Sequence, residues 1–222
     1  MFAVYIQFSG GAIMNFLGFT VLVMALAFCG IGDKLKSMTG ASSGNSTSSN
    51  PTGKADSTNI EKAEMTSAQK AIADGASEVK WDDQSISWKL PSGFAKMQVM
   101  KESFNYGSPG SGFMNASISK MSADFPVDSS IDAYYTSALE KMKQGDYTSA
   151  RWLEIDGIKG VEFVEAPPET KDGIRRHQWL AYRNYQGQSQ MLNIMVSTTG
   201  ANFEKQKDTF AAILYSMKIA KG

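Results

Sequence analysis

The chain has 222 residues, 42% of them hydrophobic and 20% charged, which suits one globular domain with non-globular extensions and excludes collagen-like and wholly disordered chains. Its 22 Lys and Arg balance 22 Asp and Glu, so no strong positive field exists to gather nucleic acid, which is not an expected partner. One cysteine and one histidine exclude an intramolecular disulfide framework and a thiolate-rich metal site, so no metal or other cofactor is expected.

Every charged residue lies after residue 32, so Met1 to Gly32 is composed for a membrane or a translocon and reads as a signal peptide or membrane anchor. Its densest part, Phe16 to Phe28, is short for a spanning helix and suits a signal-peptide core. Leu26-Ala27-Phe28-Cys29-Gly30 resembles a bacterial lipobox, with Cys29 at the position that is lipidated; Phe28 stands where such motifs carry a small residue. Three fates stay open. Cys29 is lipidated after cleavage, or the chain is cut after Ala25-Leu26-Ala27 and released, or the segment remains as an uncleaved anchor. Each of these routes involves a membrane, and the lipidated one implies an extracytoplasmic protein of the cell envelope.

Residues 33–58 form a linker, with 11 Ser or Thr among the 22 residues from Ser37 to Thr58, too polar to offset its own ordering entropy. As a flexible coil it holds the following domain about 25 Å from its anchor. Gly40-Ala41-Ser42-Ser43-Gly44 matches the hydrolase pattern G-x-S-x-G by chance, since it sits in this tract without a strand before it or a helix after it.

Residues 59–83 read as a short helix and lead-in, with Asn59 capping a helix over Ile60–Asp74. Strands follow over Gln84–Leu90, Met97–Tyr106 and Gly112–Met121, the first alternating Ile86, Trp88 and Leu90 against polar residues. A helix over Ser129–Gln144 carries Ile131, Tyr135, Ala138 and Met142 on one face. Then come strands over Arg151–Ile155 and Ile158–Ala166 around an Asp156-Gly157 turn, and over Ile174–Tyr185 and Gln188–Ser197 around Gln186-Gly187. A helix over Asn202–Leu214 and a strand over Tyr215–Ala220 close the chain.

This order predicts an α+β fold over residues 84–222. Three stretches carry a resemblance to the PsbP-like family: Ile86-Ser87-Trp88-Lys89-Leu90-Pro91-Ser92-Gly93-Phe94, Ile155-Asp156-Gly157-Ile158-Lys159-Gly160-Val161-Glu162, and Phe210 through Ile219. That family includes photosystem assembly proteins, a nuclear Ran-binding protein and many bacterial lipoproteins of unknown role. The resemblance implies an antiparallel sheet sandwiched by helices, and a binding or assembly module rather than an enzyme; the fold alone does not give function.

The register set by Gln186-Gly187 pairs Trp179 with Ile194 and His177 with Val196. This places the only histidine on a core face, shared with Val161 and Phe163 of the neighbouring strand. The opposite face collects Glu162, Arg176, Gln178, Leu180, Tyr182, Met191, Asn193 and Met195. Glu162, Arg176, Gln178, Tyr182, Met191, Asn193 and Met195 make up the candidate partner-binding face, because Met, Tyr, Arg and amides are a mixture that interfaces use; a covering helix is the other reading. No catalytic or metal-binding constellation is expected. The sequence thus points to a membrane-tethered extracytoplasmic module with an envelope protein as partner. A soluble small-ligand carrier and a hydrolase without a recognisable motif are the alternatives.

Overall fold

The structure is a computed structural model and describes residues 59–219; Cys29, the apolar segment and the linker lie outside these residues. After Asn59 and Ile60 come β1 (Glu61–Lys62), α1 (Ser67–Asp74), β2 (Ser77–Trp81), a single 3-10 turn (Asp82–Gln84) and β3 (Ile86–Leu90). They continue with β4 (Ala95–Val99), β5 (Ser103–Ser108), β6 (Gly112–Lys120), α2 (Val127–Gln144), β7 (Tyr147–Ile155) and β8 (Ile158–Glu165). The last are β9 (Ile174–Tyr185), β10 (Gln188–Thr199), α3 (Gly200–Tyr215) and β11 (Lys218–Ile219).

Eight strands form one sheet in the order β1-β7-β8-β9-β10-β6-β5-β4, antiparallel except where β1 joins β7 in parallel. A second sheet, β11-β3-β2, covers part of its first face together with α3. Between them lies the main core, where Trp179, Ile194, Val196, Leu192, Ala116 and Met114 meet Trp81, Trp88, Phe210 and Ile213. The second face is covered by α2 chiefly over β7, β8 and β9, where Ile131, Ala138 and Tyr135 pack on Trp152, Val161, Phe163, Leu180 and Tyr182. The fold is therefore α+β, with helices on both faces of a largely antiparallel sheet.

The turn chemistry works as the residues dictate. Asp156 and Gly157, and Gln186 and Gly187, all take positive φ, the geometry of tight two-residue hairpins. The second turn gives the expected pairs Trp179 with Ile194 and His177 with Val196. Gly160 is required by close approach: a Cβ there would lie 2.5 Å from the indole of Trp179, whose Nε1 donates to the Leu153 carbonyl at 3.0 Å.

Several expected elements differ: the lead-in contains a strand, β2, and the last strand is only Lys218–Ile219, since Tyr215 still belongs to α3. The helix over Ile60–Asp74 is shorter, because Thr66 and Gln69 form a capping box that starts α1 at Ser67, while Glu61 and Lys62 pair with Leu153 and Glu154. The strand over Met97–Tyr106 is two strands, β4 and β5, turning at Lys101 and Glu102, where the Met100 amide donates to Ser103. That turn carries no Gly, Pro or Asn, so the sequence gives no sign of it.

Candidate functional site

In an antiparallel pair, residues directly opposite each other point to the same side of the sheet. Glu162 stands opposite Trp179, so it belongs with His177 on the first face, while Val161 and Phe163 stand opposite Leu180 and Gln178 on the second. This corrects the expected placement of all three residues. The β8–β9 link, residues 166–173, has no two-residue turn to fix the register, and a one-residue slip exchanges the faces.

Glu162 is only 4% exposed and is the centre of a polar cluster. Its Oε1 bonds His177 Nε2 at 2.8 Å and accepts from the Tyr215 hydroxyl at 2.6 Å, and its Oε2 accepts from Arg151 Nε at 2.6 Å. Arg151 reaches on with Nη2 to the Tyr215 oxygen at 2.9 Å and with Nη1 to Glu61 of β1. Burial alone would raise the Glu162 carboxyl, but the hydrogen bond and charge of His177, the Tyr215 hydroxyl and the Arg151 charge outweigh it and hold the group at about 2. Burial and the neighbouring carboxylate push Tyr215 well above an ordinary phenol. The Tyr215 hydroxyl donates to Glu162 and accepts from Arg151, while the carboxylate is engaged at both oxygens. The cluster therefore acts as a polar pin joining β7, β8, β9 and the end of α3, with no group left poised to attack a substrate.

The rest of the predicted face is divided by α2. Tyr182 is buried against Phe125 and the α2 core, and Met191 packs at the margin of that core. Arg176, Gln178, Asn193 and Met195 lie beyond the helix on the uncovered half, all partly exposed. Arg176 is ion-paired across the strands with Glu165 at 2.9 Å. Gln178 donates to Asn193 at 2.6 Å, Asn115 donates to Asn105, and Asn105 donates to Gln98 at 3.4 Å, which carries side-chain amides across β9, β10, β6, β5 and β4.

Beside this row stand Phe113, 48% exposed, and Met97, 62% exposed. The Met97 sulfur and the Phe113 ring both sit over Gly107, where a Cβ would lie 2.7 and 2.8 Å from them, so the missing side chain lets the two apolar groups converge. Phe113, Met97, Asn115 and Asn105 were not among the residues expected from the sequence. Their strands read as ordinary alternating segments, and only the register across β5, β6 and β10 brings them beside Met195.

A separate cleft of about 560 Å³ lies between α1 and the outer side of β3, with Tyr215 on its wall and Lys70, Lys89, Glu64 and Asp74 around it. Among the described residues no group of three His, Cys, Asp or Glu is placed to hold a metal ion, and no helix is long and apolar enough to cross a membrane.

No family model matches the chain. No curated protein matches it either. Solved structures do. A protein of Bacteroides thetaiotaomicron VPI-5482 aligns over 62% of this chain at 16% identity and a TM-score of 0.38; the match spans 46% of that protein's length, less than half. Cyanobacterial PsbP, CyanoP, from Synechocystis sp. PCC 6803 aligns over 66% of this chain and 94% of its own at 12% identity and a TM-score of 0.43. LpqN of Mycobacterium tuberculosis, described as involved in cell envelope biogenesis, aligns over 66% of this chain and 86% of its own at 12% identity and a TM-score of 0.46. A cyanobacterial protein that bears the name of the family the three sequence motifs resemble is thus among the solved structures to which this chain is similar.

Proposed function

We propose that the protein is a non-catalytic binding or assembly module of the cell envelope, tethered through its N-terminal segment by lipid on Cys29. On this reading it offers the uncovered half of its sheet to a protein partner. The observation that carries the binding role is the patch of Phe113, Met97 and Met195 beside the amide row. An aromatic and two methionines on a rigid sheet, ringed by neutral hydrogen-bonding groups, have the make-up of the centre of an interface. A soluble protein gains nothing in stability by leaving a Phe and a Met this exposed side by side, whereas a partner that covers them gains apolar burial.

The partner is expected to be met at a distance from the membrane, since the linker gives the domain a reach of about 25 Å. Replacing Phe113 by Asp and Met195 by Asp tests the binding surface. Each variant is expected to fold and to lose a discrete envelope partner from affinity purification of the full chain; retention of that partner by both contradicts the reading. The tether is tested by the intact mass of the mature protein from its membrane fraction. Loss of residues 1–28 with added acyl mass, absent in Cys29→Ala, supports it, and an unprocessed chain overturns it.

A small-ligand carrier is the second reading, favoured by one observation, the 560 Å³ cleft, whose volume lies in the range of ligand pockets. Loss of partner capture in the Phe113 and Met195 variants with an empty cleft separates the two.

A further inference from the structure

Residues 61–74 are attached to the body of the domain by few and mostly exposed contacts. Both residues of β1 are exposed, and in α1 only Gln69 and Ala73 are buried. Besides the two-residue β1–β7 ladder and the packing of α1 on α3, three polar links hold the segment: the Ala63 amide donates to the Glu154 carbonyl at 2.9 Å, Gln69 Nε2 donates to Asp208 of α3 at 3.1 Å, and Glu61 pairs with Arg151. The same segment supplies one wall of the cleft, through Glu64, Met65, Lys70 and Asp74, while the facing wall comes from β3 and from Tyr215 and Ser216.

The latch has an asymmetric partner. Arg151 keeps Glu162 and Tyr215 when Glu61 leaves, so its guanidinium does not become an unpaired buried charge on release. Only the outer, exposed half of the ion-pair network is broken, and such pairs contribute little. Segments with little apolar burial and exposed hydrogen bonds open at free energies well below that of global unfolding.

We infer that residues Glu61–Asp74 form a releasable clasp over the cleft, latched by the Glu61–Arg151 ion pair and hinged after α1 at Gly75. Release opens the cleft wall and uncovers the segment of the β7 edge that β1 pairs with, Leu153 and Glu154. Because β1 and α1 are linked at both ends, they open as one unit. This inference is independent of the reading of the sheet face.

Hydrogen exchange of the full chain in detergent micelles, under conditions where reclosing is faster than exchange, tests it. Release breaks the Ala63–Glu154 bond, and the eight-residue α1, too short to persist without its packing, unwinds with it, so in the unmodified protein the amides of Ala63, Lys70 and Gly75 are expected to exchange through a common opening, on the order of 100-fold or more faster than those of Trp179 and Ile194 in the central strands. Glu61→Gln is expected to accelerate all three by a shared factor of about two to five, leaving Trp179 and Ile194 unchanged. Asp208→Ala, at the other end, is expected to accelerate the same set, Ala63 included. Acceleration of Ala63 alone by Glu61→Gln would mean that β1 frays by itself and overturns the clasp, as would α1 protection equal to that of the central strands.

Discussion

The two halves of the second sheet face differ in what lies on top of them. Over β7, β8 and β9, α2 buries Trp152, Val161, Phe163 and Leu180, whereas over β10, β6, β5 and β4 the strands present amides, Phe113, Met97 and Met195 to the surroundings. The strand residues change character at the boundary. Beneath the helix they are apolar, as burial demands, and beyond it they are Asn115, Ser117, Asn193 and Gln178, neutral groups that can pair with water or with a partner. A surface meant only for water commonly carries charge, whereas here the nearest charges on this face of β8 and β9 among the described residues, Arg176 and Glu165, are paired with each other.

The first face sets a further contrast, because it tolerates a buried ion. Glu162 is sealed there by three donors, so removing it leaves the buried His177 and the Tyr215 hydroxyl without their acceptor and takes from Arg151 its buried counter-charge. Glu162→Ala is expected to lower the unfolding free energy by about 3 to 5 kcal/mol, the range for breaking a buried charge pair, measured by urea denaturation at pH 7. A residue on the open half has no such role. Phe113→Ser is expected to change stability by no more than about 0.5 kcal/mol, and a large loss there would show that the patch belongs to the core.

Between these extremes lies acid sensitivity. The folded-state carboxyl of Glu162 is held at about 2, below its unfolded value, so its contribution is fully present above the unfolded value and lost as pH falls toward 2. Stability is therefore expected to fall with decreasing pH between about 4.5 and 2, and the part of that slope due to Glu162 to vanish in Glu162→Gln. A variant with the unmodified pH profile would contradict the sealed pin. Gly160→Ala is expected to be milder, about 1 to 3 kcal/mol destabilising, because the new Cβ must displace the Trp179 indole or the backbone of Leu180.

Much of this was legible in the residues. Alternation in Ile86, Trp88 and Leu90, and the Asp156-Gly157 and Gln186-Gly187 turns, identify strands and hairpins, because each follows from local backbone chemistry. The facing of β9 and β10 was legible for the same reason. The facing of β8 against β9 is not, since a long link leaves the register to tertiary packing, and that packing puts Glu162 on the first face rather than the second. Neither could the split of the second face be read, because the 18-residue α2 spans only part of an eight-stranded sheet, and where it stops depends on which strands it meets. The Arg151–Glu162–Tyr215 contacts join residues up to 64 positions apart and leave no periodic trace.

The central claim is that the half of the sheet beyond α2 is the working surface, and in-cell photo-crosslinking tests it most directly. A photoreactive residue at Met195 is compared with one at Asp132, exposed on the outer side of α2. The account predicts a discrete envelope-protein adduct from position 195 that disappears with Phe113→Asp, and none from position 132. An adduct from position 132 with none from position 195 would contradict it and move the interface to the helix.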